Sequence, residues 1–256
     1  MRILALGDVV GLKTVEYLRE KLWSFRKENK IDFAVANCEN VNEIFGLGAE
    51  EAKALLESGV DVITTGNHVW GNKNLYDFLD SSESIIRPAN YPKNAPGCGY
   101  TVVNADGFKL LCINVLGTVF MDSLTSPFEA VEAVLAREEG NYDIALLDVH
   151  AEATSEKLAM GYHFDGRINV IFGTHTHVQT ADERILGGGS GYITDLGMTG
   201  PQNGILGVDK DAVLYRFLTK MPKRYTVADG AIEAQGAIFE VDPFARKTLS
   251  VTRVKF

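Results

Sequence analysis

Short apolar runs rich in β-branched residues alternate along the chain with stretches whose apolar positions step by three and four. Residues 3–6 read as a buried strand, and Val15, Leu18, Leu22 and Phe25 then keep the helical period. Residues 33–36 form a second strand candidate. Ala52, Leu55 and Leu56 mark a second helix that stops near Gly59, and residues 60–64 lead as a third strand into Gly66-Asn67-His68. This βαβαβ opening predicts a parallel sheet with right-handed crossovers.

The second half repeats the theme less regularly. Residues 100–103 and 109–115 read as a hairpin around Asp106-Gly107, a strong turn pair. Residues 128–137 are helical, and 144–149 and 168–172 are strands. The late runs 212–218, 237–241 and 248–254 are β-rich with no helix expected between them. Residues 219–235 are polar and poorly periodic, a loop or lid that could pack against a second subunit of a homo-oligomer. Parallel βα units come first and antiparallel strands last, in an α/β chain expected to form one domain over residues 1–256.

The polar residues that close these runs carry the chemistry. His68 in GNH, His150 in DVH, and His175 and His177 in GTHTH each end or follow an apolar run, as do Asp8 in LALGD and Asn37, Glu39 and Asn40 in FAVANCEN. Sites in open α/β sheets lie beyond the carboxyl ends of the strands. Taken singly, an Asp after a strand caps a turn and a His is a satisfied polar residue. Asp8, Asn37, Glu39, Asn67, His150 and His175 together at one sheet edge point to a metal site instead. His175 and His177, two apart, suit two adjacent ions better than one.

Length and composition decide what such a site can belong to. A chain of 256 residues, 46% hydrophobic and 23% charged, can bury a substantial core and has no disordered character. A net charge of −9 argues against a surface built for long nucleic acid, so a phosphate substrate should be small and held locally. The three cysteines are odd in number, widely spaced and without CxxC, which indicates neither a disulfide framework nor a structural zinc knot. With no export leader and no run near the roughly 18 apolar residues of a membrane span, a cytoplasmic protein with no membrane partner is expected.

The ligand set is mixed nitrogen and oxygen with no thiolate. It suits two ions, divalent or mixed-valence, with Fe or Mn ahead of Zn or Mg, and a set this large and open implies catalysis. Two divalent ions, the carboxylates of Asp8 and Glu39 and one bridging hydroxide would leave a single net positive charge. A centre about 3.5 to 4 Å wide with that charge matches a phosphoryl group attacked in line by the hydroxide.

The order GD, NCEN, GNH, a lone His after a strand, then GTHTH resembles the calcineurin-like metallophosphoesterases, and specifically the YmdB-like branch that hydrolyses cyclic nucleotides. HAEATSEK at 150–157, GTHTHVQTADERIL at 173–186 and YITDLGMTGP at 192–201 make the resemblance close and nearly full length. It implies a four-layer αββα sandwich, two mixed sheets flanked by helices. It also implies one metal on Asp8, Glu39, Asn40 and His177 and another on Glu39, Asn67, His150 and His175, with Glu39 bridging. His68 would face the substrate and protonate the leaving oxygen or stabilise its charge.

Departures from the pattern border the site. The wider superfamily begins DxH, but Val10 stands two after Asp8, so Asn40 would have to supply a ligand; that change is itself characteristic of the branch. Leu12-Lys13-Thr14 replaces the usual KPGR loop, Cys38 replaces a small residue, and the segment 41–45 replaces a Gly- and Ala-rich loop.

Other residues keep ordinary readings. By strand alternation Cys38 should point away from Asn37 and Glu39 as buried filler, and His163 suits a helix end or the surface. Thr176 could touch substrate or stabilise its turn; Thr154 or Ser155 could cap a helix, and Glu152 could orient His150. GGGSG at 187–191 lacks the lysine of a P-loop and reads as a turn, and residues 197–200 could line the pocket.

Three functions fit these residues. The first is a dinuclear phosphodiesterase acting on a small cyclic nucleotide such as 2′,3′-cyclic AMP. A phosphomonoesterase or nucleotidase would want extra cations near the metals, where only Lys13, Arg87 and Arg184 lie near motif segments. A non-catalytic, metal-centred regulatory protein is the third.

Overall fold

The computed structural model describes residues 1–42 and 45–256. The chain opens with β1 (Arg2–Leu6), β2 (Asp8–Val9), α1 (Leu12–Asn29), β3 (Phe33–Asn37), α2 (Ala49–Glu57), β4 (Val62–Thr64) and α3 (Tyr76–Ser81). It continues through β5 (Tyr100–Ala105), β6 (Phe108–Leu116), α4 (Pro127–Arg137), β7 (Ile144–His150), α5 (Thr154–His163) and β8 (Val170–Thr174). It closes with β9 (Arg184–Ile185), β10 (Gly191–Ile193), β11 (Met198–Pro201), α6 (Lys210–Thr219), β12 (Ile232–Glu233), β13 (Gln235–Asp242) and β14 (Lys247–Lys255).

One mixed sheet runs β14-β13-β1-β3-β4 and a second runs β5-β6-β7-β8-β10-β9. Side-chain alternation along their strands sorts the apolar residues into three layers. Ile3 and Ala5 of β1 and Phe33 and Val35 of β3 meet Leu110, Cys112, Ile144, Leu146, Val170 and Phe172 between the sheets. The alternate residues Leu4, Leu6, Ala34 and Ala36 pack outward on Leu18, Leu22, Ala52 and Leu55 of α1 and α2. Leu111, Ile113, Ala145 and Leu147 pack outward on Val131, Val134 and Leu135 of α4 and Met160 of α5. The αββα sandwich therefore stands, with a third small sheet, β12-β11-β2, added at one edge. That small sheet leaves no signal in the sequence, because its strands are two to four residues long, too short to show a period.

The hairpin forms as expected. Ala105 pairs with Phe108, and Asp106 and Gly107 both take positive φ, 49° and 83°, as a two-residue turn between right-twisted strands requires.

Residues 212–218 correct the reading of an all-β ending, because they lie in α6. The Asp209 carboxylate accepts from the Ala212 N–H at 2.9 Å and Lys220 closes the helix at φ 61°. Only Ala212 and Val213 are buried, while Leu214, Tyr215, Phe217 and Leu218 stay exposed. With no apolar stripe to mark it, the run of bulky residues imitates a strand. No helix among the described residues is long and apolar enough to cross a membrane.

Asp209→Ala should loosen α6 by about 1 kcal/mol, an acceleration of its amide hydrogen exchange by about fivefold. Unchanged protection of the first turn in that variant would show that the cap is dispensable.

Candidate metal centre

The inter-sheet layer changes character at the carboxyl edge of its strands. The alternation that turns Val35, Val62, Leu146 and Phe172 inward also turns Asn37, Thr64, Asp148, His150 and Thr174 inward, one or two strides later. All five are buried. Strand β2 brings Asp8, and loops leaving the same edge bring Glu39, Asn40, Asn67, His68, His175 and His177, above them.

Around Glu39 the donor atoms converge. Glu39 Oε1 lies 2.9 Å from His150 Nε2, and Oε2 accepts the His68 backbone N–H at 2.7 Å. His150 Nε2 is also 3.0 Å from Asn67 Oδ1 and 3.1 Å from His175 Nδ1. Ligand atoms of Glu39, His150 and His175 all fall within 4.8 Å of one another.

A tier of hydrogen bonds beneath fixes how these rings face. The Thr174 hydroxyl donates to Asp148 Oδ1 at 2.7 Å, so it can only accept from His150 Nδ1–H, 2.9 Å away. Asp148 Oδ2 accepts from the Thr64 hydroxyl and from the Asn37 amide. With its proton held on Nδ1, His150 turns the Nε2 lone pair up toward Glu39, Asn67 and His175. On His175, Nε2 lies 3.2 Å from Glu152 Oε2, and Nδ1 faces inward toward His150.

Asp8 and His177 make a second focus. Asp8 Oδ2 accepts the His175 backbone N–H at 3.0 Å, whereas Oδ1 is buried without any hydrogen-bond partner, 3.6 Å from His177 Nε2. His177 Nδ1 donates to the Leu206 carbonyl at 3.1 Å, and its Nε2 lies 3.3 Å from the Asn40 amide nitrogen. Asn40 is held by a bridge between its backbone and that of Val10.

Carboxylate and imidazole lone pairs brought this close repel one another unless a positive charge lies among them. In the protein alone protons supply it. Burial pushes His150 down, but Glu39 and Asp8 outweigh burial and raise it to about 9. Burial likewise pushes Asp8 up, yet His177 and His150 hold its carboxyl well below the usual range. Burial and the nearby His150 lower His175 to about 4, keeping it neutral. The orphaned Asp8 Oδ1, the facing nitrogen lone pairs and the mixed donor set fit bound metal ions. Gly66 fits them too, since a Cβ there would strike His150 and Glu39.

The GTHTH turn is strained and braced. His175 and His177 both take positive φ, 96° and 61°, a region that costs non-glycine residues about 1–3 kcal/mol. Asp195 Oδ2 accepts the Thr176 backbone N–H and its hydroxyl, at 3.2 and 2.7 Å, and pairs with Lys157 at 2.7 Å; both members of this ion pair are buried. Thr176 therefore stabilises its turn. The 197–200 segment is buried and pairs with β2, supporting Asp8 from behind.

Cys38 is fully buried in the outer core, where burial pushes its thiol well up. His163 ends α5 and contacts Glu132 at the surface. Ala153, with no side-chain hydrogen bond, precedes α5, so neither Thr154 nor Ser155 caps it, and Glu152 meets His175 rather than His150. Residues 187–191 turn into β10 as read. Within the 41–45 loop, Glu43 and Ile44 lie outside the described residues.

The three cations named near the motifs are engaged elsewhere: Lys13 pairs with Asp229, Arg87 donates to a ring of backbone carbonyls, and Arg184 lies over Tyr162 and Tyr192. Thr174, Asp148 and the Lys157–Asp195 pair went unassigned in the sequence. Parity on β7 could have found Asp148, two residues before His150.

The chain matches the family described as YmdB-like protein over residues 4–254. It is 42% identical to the 2′,3′-cyclic-nucleotide 2′-phosphodiesterase of Bacillus subtilis over 254 residues, covering 99% of this chain and 96% of that one. Among solved structures, a hypothetical protein from Thermus thermophilus superposes with a TM-score of 0.94 at 37% identity, over 100% of this chain and 99% of the other. A novel phosphatase from Mycoplasma pneumoniae gives the same TM-score at 31% identity, over 100% and 93%.

Thr174→Val keeps the shape but removes the acceptor for His150 Nδ1–H. Metal affinity measured by chelator competition should fall about 10- to 100-fold, and Thr174→Ser should retain it. Equal affinity in a folded Val variant would dismiss the orienting role.

Proposed function

The chain belongs to the YmdB-like family, and from that premise we propose that it is a phosphoric ester hydrolase cleaving a small cyclic nucleotide, such as 2′,3′-cyclic AMP, at a dinuclear metal site. The observation that carries this reading is the convergence of ligand atoms of Glu39, His150 and His175 within 4.8 Å of one another. Asp8, Glu39, Asn40 and His177 would hold one ion, and Glu39, Asn67, His150 and His175 the other, with Glu39 shared. Asn40 would present Oδ1 after rotation of its amide. The oxygen and imidazole donors suit Fe or Mn. When bound, two such ions polarise the phosphoryl oxygens and activate water.

The protein's own groups position the leaving side. Asn67 turns Oδ1 toward His150 and donates from Nδ2 to His68 Nε2 at 3.2 Å, which places the His68 proton on Nδ1. Burial depresses the His68 pKa, so a neutral ring offers that N–H to the ribose oxygen as charge develops on it. The His68 backbone bond to Glu39 and the Phe45 ring, 4.4 Å away, fix the imidazole. A monoester dianion would want free cations beside the metals, and Lys13, Arg87 and Arg184 are committed elsewhere. A diester monoanion needs none.

Two measurements test this. With Mn supplied, bis(p-nitrophenyl) phosphate and 2′,3′-cyclic AMP should be hydrolysed faster than p-nitrophenyl phosphate; a monoester preference would contradict the diesterase reading. His68→Ala should lose about 10²- to 10⁴-fold in kcat with metal content unchanged, whereas Asp8→Ala or Glu39→Ala should lose metal and activity together. Full metal loading in both carboxylate variants would refute the ligand assignment, and a regulatory protein would keep its biological readout in His68→Ala.

A further inference from the structure

Residues 210–224 carry Lys210, Arg216, Lys220, Lys223 and Arg224 against one acid, Asp211, in a chain of net charge −9. Arg216, Lys223 and Arg224 line a cavity of about 670 Å³ with Phe45, Asn72 and Tyr225. One wall of this groove is the segment that carries His68. Gly71 and Asn72 follow it through the turn Val69–Gly71, and the Phe45 ring packs on the His68 imidazole. The opposite wall is α6 and the residues after it. There the Arg216 guanidinium lies 4.5 Å over Tyr225 and the Lys223 ammonium 5.3 Å over Tyr215. Among the described residues neither cation forms an ion pair with a carboxylate.

Cations held on aromatic faces beside more aromatic surface are what a single nucleotide strand needs: charge for its phosphates and rings for its bases. We propose that this groove takes a phosphate on the 5′ side of the nucleotide whose cyclic phosphate lies at the metal centre, so that the protein acts on short oligoribonucleotides ending in a 2′,3′-cyclic phosphate. This rests on the cyclic-nucleotide reading above and extends it to the substrate class. The reaction is unchanged: water adds its hydroxyl to phosphorus and a proton to the released ribose oxygen, leaving a phosphomonoester at the chain end. The negative remainder of the surface limits the length of strand that can approach.

The test compares kcat/KM of the Mn-loaded protein for adenosine 2′,3′-cyclic phosphate, its 5′-phosphorylated form, and the adenosine dinucleotide ending in a 2′,3′-cyclic phosphate. The dinucleotide should exceed the mononucleotide by about tenfold, and the ratio should shrink with added salt. It should also shrink in Arg216→Glu/Lys223→Glu and, less, in Arg216→Gln/Lys223→Gln. Equal rates for the two, or a dinucleotide advantage that survives both double substitutions, would overturn the groove assignment while leaving the phosphodiesterase intact. A gain as large from the 5′-phosphorylated mononucleotide would assign the groove to a terminal phosphate and overturn the chain-end substrate. No hydrolysis of any of the three would remove the cyclic-nucleotide reading itself.

Discussion

Two buried carboxylates, Asp8 and Glu39, face imidazole nitrogens across the seam between two sheets, and they cannot remain there without positive charge among them. An uncompensated buried charge costs several kcal/mol, so the fold tolerates this edge only because protons or metal ions occupy it. The rest of the site follows from that requirement. The parallel strands β1, β3, β4, β7 and β8 end at one edge, and the residues at or just after their ends are the donors gathered there. The polar tier under them, from Asn37 through Asp148 to Thr174, exists to set ring orientation and leaves no acceptor in it unmet.

The second constraint is mechanical. Bringing His175 and His177 to neighbouring points within three residues forces both into the left-handed region, and the strain is held by bonds that reach outside the turn. Asp8 grips the His175 backbone, Asp195 grips Thr176, and the buried Lys157 neutralises Asp195. Segments that look unrelated along the chain, HAEATSEK and ITDLG, thereby serve one turn. Asp8 thus has two tasks, orienting the backbone with one oxygen and presenting the other, unpartnered, to the site.

Much of this was legible from residues alone, for identifiable reasons. Strands β1, β3, β4, β7 and β8 are buried on both faces and show as continuous apolar runs, so the polar residues ending them stood out. α6 was hidden because its bulky residues face outward and mimic a strand, while its true signal was the cap at Asp209. The small third sheet was too short to show a period. Glu152 illustrates a different limit: its place two residues after His150 allows it to orient that ring, yet the bend after β7 carries it to His175. Contacts between residues far apart in sequence, such as Thr174 with Asp148, are set by register between strands, which single-strand periodicity does not encode.

Two metal ions sharing the Glu39 carboxylate would each leave a signal beside it. Anomalous diffraction from crystals grown with Mn tests this arrangement most directly. Two peaks about 3.5 to 4 Å apart are expected, one against Asp8 and His177 and one against His150 and His175, with the Glu39 carboxylate touching both. A single peak, or peaks away from Glu39, would contradict it.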